Sequence, residues 1–145
     1  MSIVSNRSVS FDLVGSFFSA FNEHDLNKMI MLCTKDARVN FVPMGAEGEG
    51  EVREVGAYFW SALFRAVPNL SVVVQSMFGG EQSVATEVVI GGRQQRELED
   101  IPSEGHRFEL PHAFLISLNG KAQITSITAY WDNVTLFSEL GKPTA

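Results

Sequence analysis

The chain has 145 residues, of which 45% are hydrophobic, 11 are phenylalanine and 19% are charged. A domain of that size buries about 68–70% of the surface its unfolded chain exposes, so a single core suffices and disorder of the whole is excluded. The net charge of −6, with eleven Lys and Arg scattered along the sequence, lacks the basic stripe of a nucleic-acid binder, and no nucleic acid partner is expected.

From Ser10 to Phe21 the residues Phe11, Val14, Phe17, Phe18 and Phe21 recur at three- and four-residue intervals, which predicts an amphipathic helix with Ser10 as its N-cap. The turn Asn22-Glu23-His24 ends it, and Asp25 caps a second helix running to about Leu32 through Leu26, Met29 and Ile30. Cys33 follows an apolar run and reads as a buried, inert thiol; as the single cysteine it leaves no internal disulfide. Ala37 to Pro43 alternates as a strand, and Gly45-Ala46-Glu47-Gly48-Glu49-Gly50 predicts a mobile loop. Its interleaved carboxylates repel phosphate, which argues against a phosphate cradle.

Val52, Val55, Phe59, Leu63 and Phe64 predict a third helix, stopped near Val67 by Pro68. Beyond it the period changes. Leu70–Phe78, Ser83–Ile90, Arg107–Leu118 and Ala122–Trp131 read as strands, separated by Gly79-Gly80, by Gly91-Gly92 with the polar stretch to Gly105, and by Asn119-Gly120. Asn-Gly supplies the positive φ of a tight primed turn, so the last two strands are predicted as a hairpin. Helices first and antiparallel strands later describe one α+β domain over residues 1–145, its core about 10–141, with three helices packed on a curved sheet.

Three pieces carry a family resemblance: Asn22-Glu23-His24-Asp25, Ala66-Val67-Pro68-Asn69-Leu70, and the tail from Asn119-Gly120-Lys121 through Tyr130-Trp131-Asp132 into Asn133–Gly141. With the turn Ile101-Pro102-Ser103-Glu104-Gly105-His106, their order and spacing resemble the SnoaL-like, polyketide cyclase-like family of the nuclear transport factor 2-like superfamily. The resemblance implies a cone-shaped, cystatin-like roll enclosing a pocket, and a homodimer through the outer face of the sheet. Members of that family include polyketide cyclases, epoxide hydrolases, ketosteroid isomerases, dehydratases and proteins without catalysis, so the fold does not choose a reaction.

His112 is the most suggestive residue, because alternation puts it on one strand face with Phe108, Leu110, Phe114 and Ile116. An imidazole there is either a general acid or base displaced from its usual pKa by burial, or a core histidine bonded to backbone. In polyketide cyclases similar to this chain, a histidine on the penultimate strand works with an aspartate on the last. His112 falls about where that histidine would be, and Ser126 or a neighbour takes the place of the aspartate, which removes the usual proton shuttle. The epoxide hydrolase pattern fails at Ala129, Val39 and Phe41, and the ketosteroid isomerase pattern fails where the first helix carries Phe17, Phe18 and Phe21.

Asp132 and Glu87 are the candidate carboxylate assistants. Asp132 either caps the final helix or pairs across the hairpin, with Arg107 for a two-residue loop and with His106 for a three-residue loop with a bulge. Glu87 faces either solvent or the cavity. Tyr58, Trp60, Phe41, Phe18, Phe114 and Trp131 are the expected pocket walls, against plain core packing. Neither zinc spacing nor a nucleotide-binding glycine motif occurs, so no metal and no cofactor is expected. The expectation is therefore a cytoplasmic protein without membrane contact, binding a small apolar or ring-containing molecule. Cofactor-free acid–base catalysis of the cyclase, isomerase or dehydratase type and a noncatalytic binding or dimerisation module both remain open.

Overall fold

In a computed structural model of the chain, which describes residues 6–141, the first helix α1 covers Asn6–Asn22. Ser10 lies inside it rather than capping it, and its hydroxyl donates to the Gly80 carbonyl at 2.7 Å, tying the helix to a distant turn. The face made by Val14, Phe17, Phe18, Ala20 and Phe21 is buried, following the helical period of the sequence. The reversal after α1 is held by His24, whose backbone has a φ of 58°. Its Nε2 donates to the Leu70 carbonyl at 2.9 Å and its ring stacks on Phe64. Asp25 then caps α2, Leu26–Met31, by accepting from the Lys28 backbone N–H.

Strand β1 covers Cys33–Phe41, starting four residues before the alternation announces it. Its first half is polar, and a register shift between Cys33 and Arg38 interrupts the pattern. The glycine-rich segment expected to be a loop is ordered. Val42–Gly48 winds in 3-10 turns, and Glu49–Glu51 returns as a short strand, β2, antiparallel to β1. The edge of β1 presents backbone donors and acceptors that even a segment poor in side chains can satisfy. A π-helical turn, Val52–Gly56, leads into α3, Ala57–Ala66, which ends ahead of Pro68.

The remaining strands are β3, Ser71–Gly79; β4, Ser83–Arg93; β5, Arg107–Leu118; and β6, Ile124–Tyr130, followed by α4, Asn133–Leu140. The six-stranded sheet has the order β2-β1-β6-β5-β4-β3 and does not close. All neighbours are antiparallel except β1 and β6. Gly91 and Gly92 do not end β4 as the sequence suggests. A Cβ on Gly92 would come within 2.5 Å of Val67, so the glycine lets the α3–β3 connection lie directly on the strand. The core fills the space between the helices and the inner face of the sheet, where Val84, Val88, Ile90, Phe108, Leu110, Phe114, Ile116 and Ile127 point. Cys33 is in that core, where burial, against a smaller pull from Arg53, pushes its thiol up to about 12 and keeps it protonated.

The β5–β6 hairpin corrects the expected two- or three-residue turn. Leu118 pairs with Ile124, which leaves a five-residue connection. Asn119 organises it as an Asx turn, its side-chain oxygen accepting from the backbone N–H groups of Lys121 and Gln123. The left-handed residue is Ala122, with φ 57°, rather than Gly120. A further register shift lies between Ser117 and Leu118. The strands then run with Ala113 opposite Tyr130, so continuing the register puts Trp131 opposite His112 and Asp132 opposite Pro111. Asp132 therefore faces neither Arg107 nor His106.

Candidate active site

His112 sits on the inner face of β5, half-buried between Leu110 and Phe114. Pairing of β6 with β5 stops at Ala113, so the Leu110 carbonyl has no partner on β6. The His112 ring takes it, with Nδ1 at 3.0 Å. A carbonyl only accepts, so Nδ1 carries the proton and Nε2 of the neutral ring bears the lone pair. Nε2 has no hydrogen-bond partner among the described residues. Burial lowers the pKa from its ordinary 6.5 to about 4, only partly opposed by the bond to Leu110, so the ring is neutral at pH 7.

Around this ring is a small chamber of about 40 Å³, walled by Phe59, Leu63, Ile90, Leu98, Leu110 and Trp131 together with Phe108 and Leu136. That is room for about one water molecule, and the walls give it no polar partner besides the imidazole. Trp131 is the nearest aromatic wall, with its ring centre 5.2 Å from that of His112. It stacks in parallel with Phe59 at 6.1 Å. Its indole N–H donates to Asn133 Oδ1 at 2.7 Å, and the Asn133 amide in turn donates to the Pro43 carbonyl at 2.8 Å. Trp131 is thus held at both its ring face and its polar edge.

Two outer depressions continue from the chamber. The first, about 200 Å³, shares Phe59, Leu98, Trp131 and Leu136 with it and adds Met44, Ile101 and Phe137. The second, about 330 Å³, shares Met44, Glu47, Phe59 and Glu99 with the first and reaches Tyr58 and Glu54. Glu47, Glu54, Glu99 and Asp100 line this outer part, and no Lys or Arg lines any of the three spaces. A mouth of that sign disfavours an anionic ligand and accepts a neutral or cationic one. Among the described residues, no group of three or more His, Cys, Asp or Glu side chains could hold a metal. No described helix is long and apolar enough to cross a membrane.

Of the residues singled out in the sequence, the structure brings His112, Trp131 and Phe114 together and places both candidate carboxylates elsewhere. Glu87 points to the outer face of the sheet, exposed, and accepts a hydrogen bond from the Ser76 hydroxyl at 2.7 Å. Its cross-strand partner is Ala113, while His112 pairs with Val88, so a one-residue offset puts it on the wrong face. Asp132 is exposed and caps α4, one oxygen accepting from the Val134 and Thr135 backbone and the other from the Thr135 hydroxyl. These bonds, that from the Thr135 hydroxyl first, hold its carboxyl below the ordinary range. Ser126 is not the inward position on β6: it pairs with Ser117 on the outer face. The inward positions beside His112 are Ala129 and Trp131, neither of them a carboxylate. The five-residue connection is what displaces the count.

Among the expected walls, Phe18, Phe41, Trp60 and Phe114 are core residues with at most 3% exposure. Tyr58 is 72% exposed and borders only the outer depression. Phe59 and Leu63, not Tyr58 and Trp60, are the α3 residues that reach His112. Their i, i+4 spacing was the available signal, since residues four apart share a helix face. Leu98 gave almost none, being an isolated leucine in the charged run Arg96-Glu97-Leu98-Glu99-Asp100.

No curated protein matches the chain in sequence. Among solved structures, a protein from Jannaschia sp. CCS1 assigned as a SnoaL-like polyketide cyclase superposes with a TM-score of 0.84 at 19% identity, over 99% of each chain. Wild-type IdmH from Streptomyces antibioticus, assigned as a polyketide cyclase, has a TM-score of 0.78 at 26% identity over 91% of this chain and 98% of its own. AclR from Streptomyces galilaeus, assigned as a hydroxylase, has a TM-score of 0.78 at 17% identity over 91% and 95%. Residues 14–127 match the family model of the SnoaL-like domain. With most of its length covered by that match and its helices packed on the mixed, cone-forming sheet of the nuclear transport factor 2-like fold, the chain belongs to the SnoaL-like domain family.

Proposed function

We propose that the chain binds a small, largely apolar, ring-containing molecule against the inner face of β5, with a hydroxyl or other donor of that molecule on Nε2 of His112. The observation that carries this reading is the fixed tautomer: Nδ1 is committed to the Leu110 carbonyl, leaving a neutral acceptor in an apolar chamber. Stacked Phe59 and Trp131 offer a flat ring its walls. The polyketide cyclase assignments of structural relatives accord with such a ligand. Titrating ¹⁵N-labelled protein with 2-naphthol at pH 7 is expected to move the His112 Nε2 resonance in a saturable way. An unmoved His112 at saturating naphthol would sink the reading.

A second reading, base catalysis by His112, is favoured by the same lone pair, which is unprotonated at neutral pH. A conjugate acid near 4 makes a weak base, and the candidate carboxylates lie elsewhere. Binding therefore stands as the principal reading.

We further propose that two copies pair through the outer face of the sheet. Val73 and Phe78 on β3, Leu115 on β5 and Tyr130 on β6 are exposed there, between 43% and 58%, on either side of β4. An apolar surface of that kind is uncommon on a monomer. Light scattering is expected to give the dimer mass for the native chain and the monomer mass for Leu115→Glu. A native chain of monomer mass at about 0.1 mM would contradict the pairing.

A further inference from the structure

The chamber at His112 is too small for a ring, and the outer depression that adjoins it is not. Four side chains form the partition between them: Phe59, Leu98, Trp131 and Leu136. Three of these are held by regular structure or by hydrogen bonds. Phe59 lies in α3 and packs on Phe41 at 4.6 Å. Trp131 is anchored through Asn133, and Leu136 belongs to α4. Leu98 alone sits in the β4–β5 connection.

That connection is attached at its base by backbone hydrogen bonds and at its tip mainly by apolar packing, Leu98 and Ile101 each being 4% exposed. At the base, the Gln95 and Arg96 backbone N–H groups both donate to the Ala66 carbonyl, and Gln94 N–H donates to the His106 carbonyl. At the tip, Leu98 and Ile101 bond each other in a two-residue bridge, N to O at 3.0 and 2.8 Å. The bridge is self-contained, so it can move as a unit without losing its own hydrogen bonds. One tie to the base is the Gln94 amide, which donates to the Ile101 carbonyl at 2.8 Å and the Arg96 carbonyl at 3.1 Å. Gln94 is wholly buried, and its side-chain oxygen has no hydrogen-bond partner among the described residues. An unsatisfied buried acceptor opposes burial, so the latched position is held less firmly than its two donated bonds alone would imply.

We propose that Leu98 is the movable partition that sets which molecules reach His112, the Leu98–Ile101 bridge swinging from the Gln94 latch to join the chamber and the outer depression into one ring-sized site. The admitted class is an uncharged or cationic molecule of one or two fused rings carrying a donor, packed against the edges of the stacked Phe59 and Trp131. An anionic ring would meet Glu47, Glu99 and Asp100 at the mouth. This inference rests on the binding reading above and adds to it a residue that determines size.

The experiment measures 2-naphthol affinity by fluorescence for the native chain, Leu98→Ala and Leu98→Trp at pH 7, while His112 is followed by NMR. Circular dichroism of each variant confirms folding. Leu98→Ala is expected to bind about tenfold tighter, and Leu98→Trp about tenfold weaker, both still moving the His112 signal when occupied. Equal affinities across the three proteins with His112 shifted overturn the partition and leave the binding reading standing. No shift of His112 in any of them overturns both. Should Leu98→Trp fail to fold, Leu98→Phe takes its place.

Discussion

Replacing Trp60 with alanine is expected to destabilise the protein by about 3–5 kcal/mol, the usual range for removing a buried tryptophan. The ring is 1% exposed and meets Phe17 at 5.7 Å, Phe21 at 6.4 Å and Phe41 at 5.7 Å, each at a steep angle. These contacts join α1, α3 and β1, so no single element can shift to fill the hole. Gly56, one turn earlier, leaves space for the indole: a Cβ there would lie 2.9 Å from it. Domains have about 5–15 kcal/mol in total, so this one change removes a large share of the margin. In urea denaturation the midpoint should fall with an unchanged slope, and the melting temperature should drop by about 10 °C or more. A loss under about 1 kcal/mol would show that the cluster repacks, contrary to the geometry.

Acid is expected to weaken the native chain more than its His112→Gln variant. The imidazole has an ordinary pKa of 6.5 and about 4 in the fold. Between those values the unfolded chain takes up a proton that the folded chain refuses, so stability falls as pH falls from about 6.5 to 4. The full shift amounts to about 3 kcal/mol, complete below pH 4 and absent above pH 7. Denaturation at pH 7, 6, 5 and 4 checks it, because His112→Gln keeps every other titrating group and lacks this share. Parallel stability profiles for the two proteins would show that the ring is not held neutral.

The elements whose side chains repeat with a clear period were legible in the sequence. The aromatic face of α1, the Asp25 cap and the alternation of β5 all follow from local spacing, and they place His112 inward. What was not legible depended on pairing between distant segments. β2 has no side-chain pattern of its own and exists because β1 offers an edge. The hairpin register turned on the Asn119 side chain rather than on the Asn-Gly dipeptide, and with it went the neighbours of Asp132 and Ser126. Gly91 and Gly92 read as breakers because their effect comes from what packs on them, which local sequence does not contain. The candidate site shows the same division. Its imidazole lay on a periodic strand, while Leu98 lay in a charged connection where tertiary contact alone makes a leucine a wall.

The parallel pairing of β1 with β6 bears on how the protein is made. β1 is synthesised early, yet its long partner emerges about ninety residues later, after the β3-β4-β5 meander. On the ribosome, β1 must wait with only the three-residue β2 as a strand partner, and the sheet becomes continuous when Ile124–Tyr130 leaves the exit tunnel. The last strand to be translated is thus the one that joins the two halves of the sheet, and a chain truncated before it carries every helix but α4 and no continuous sheet for them to pack on.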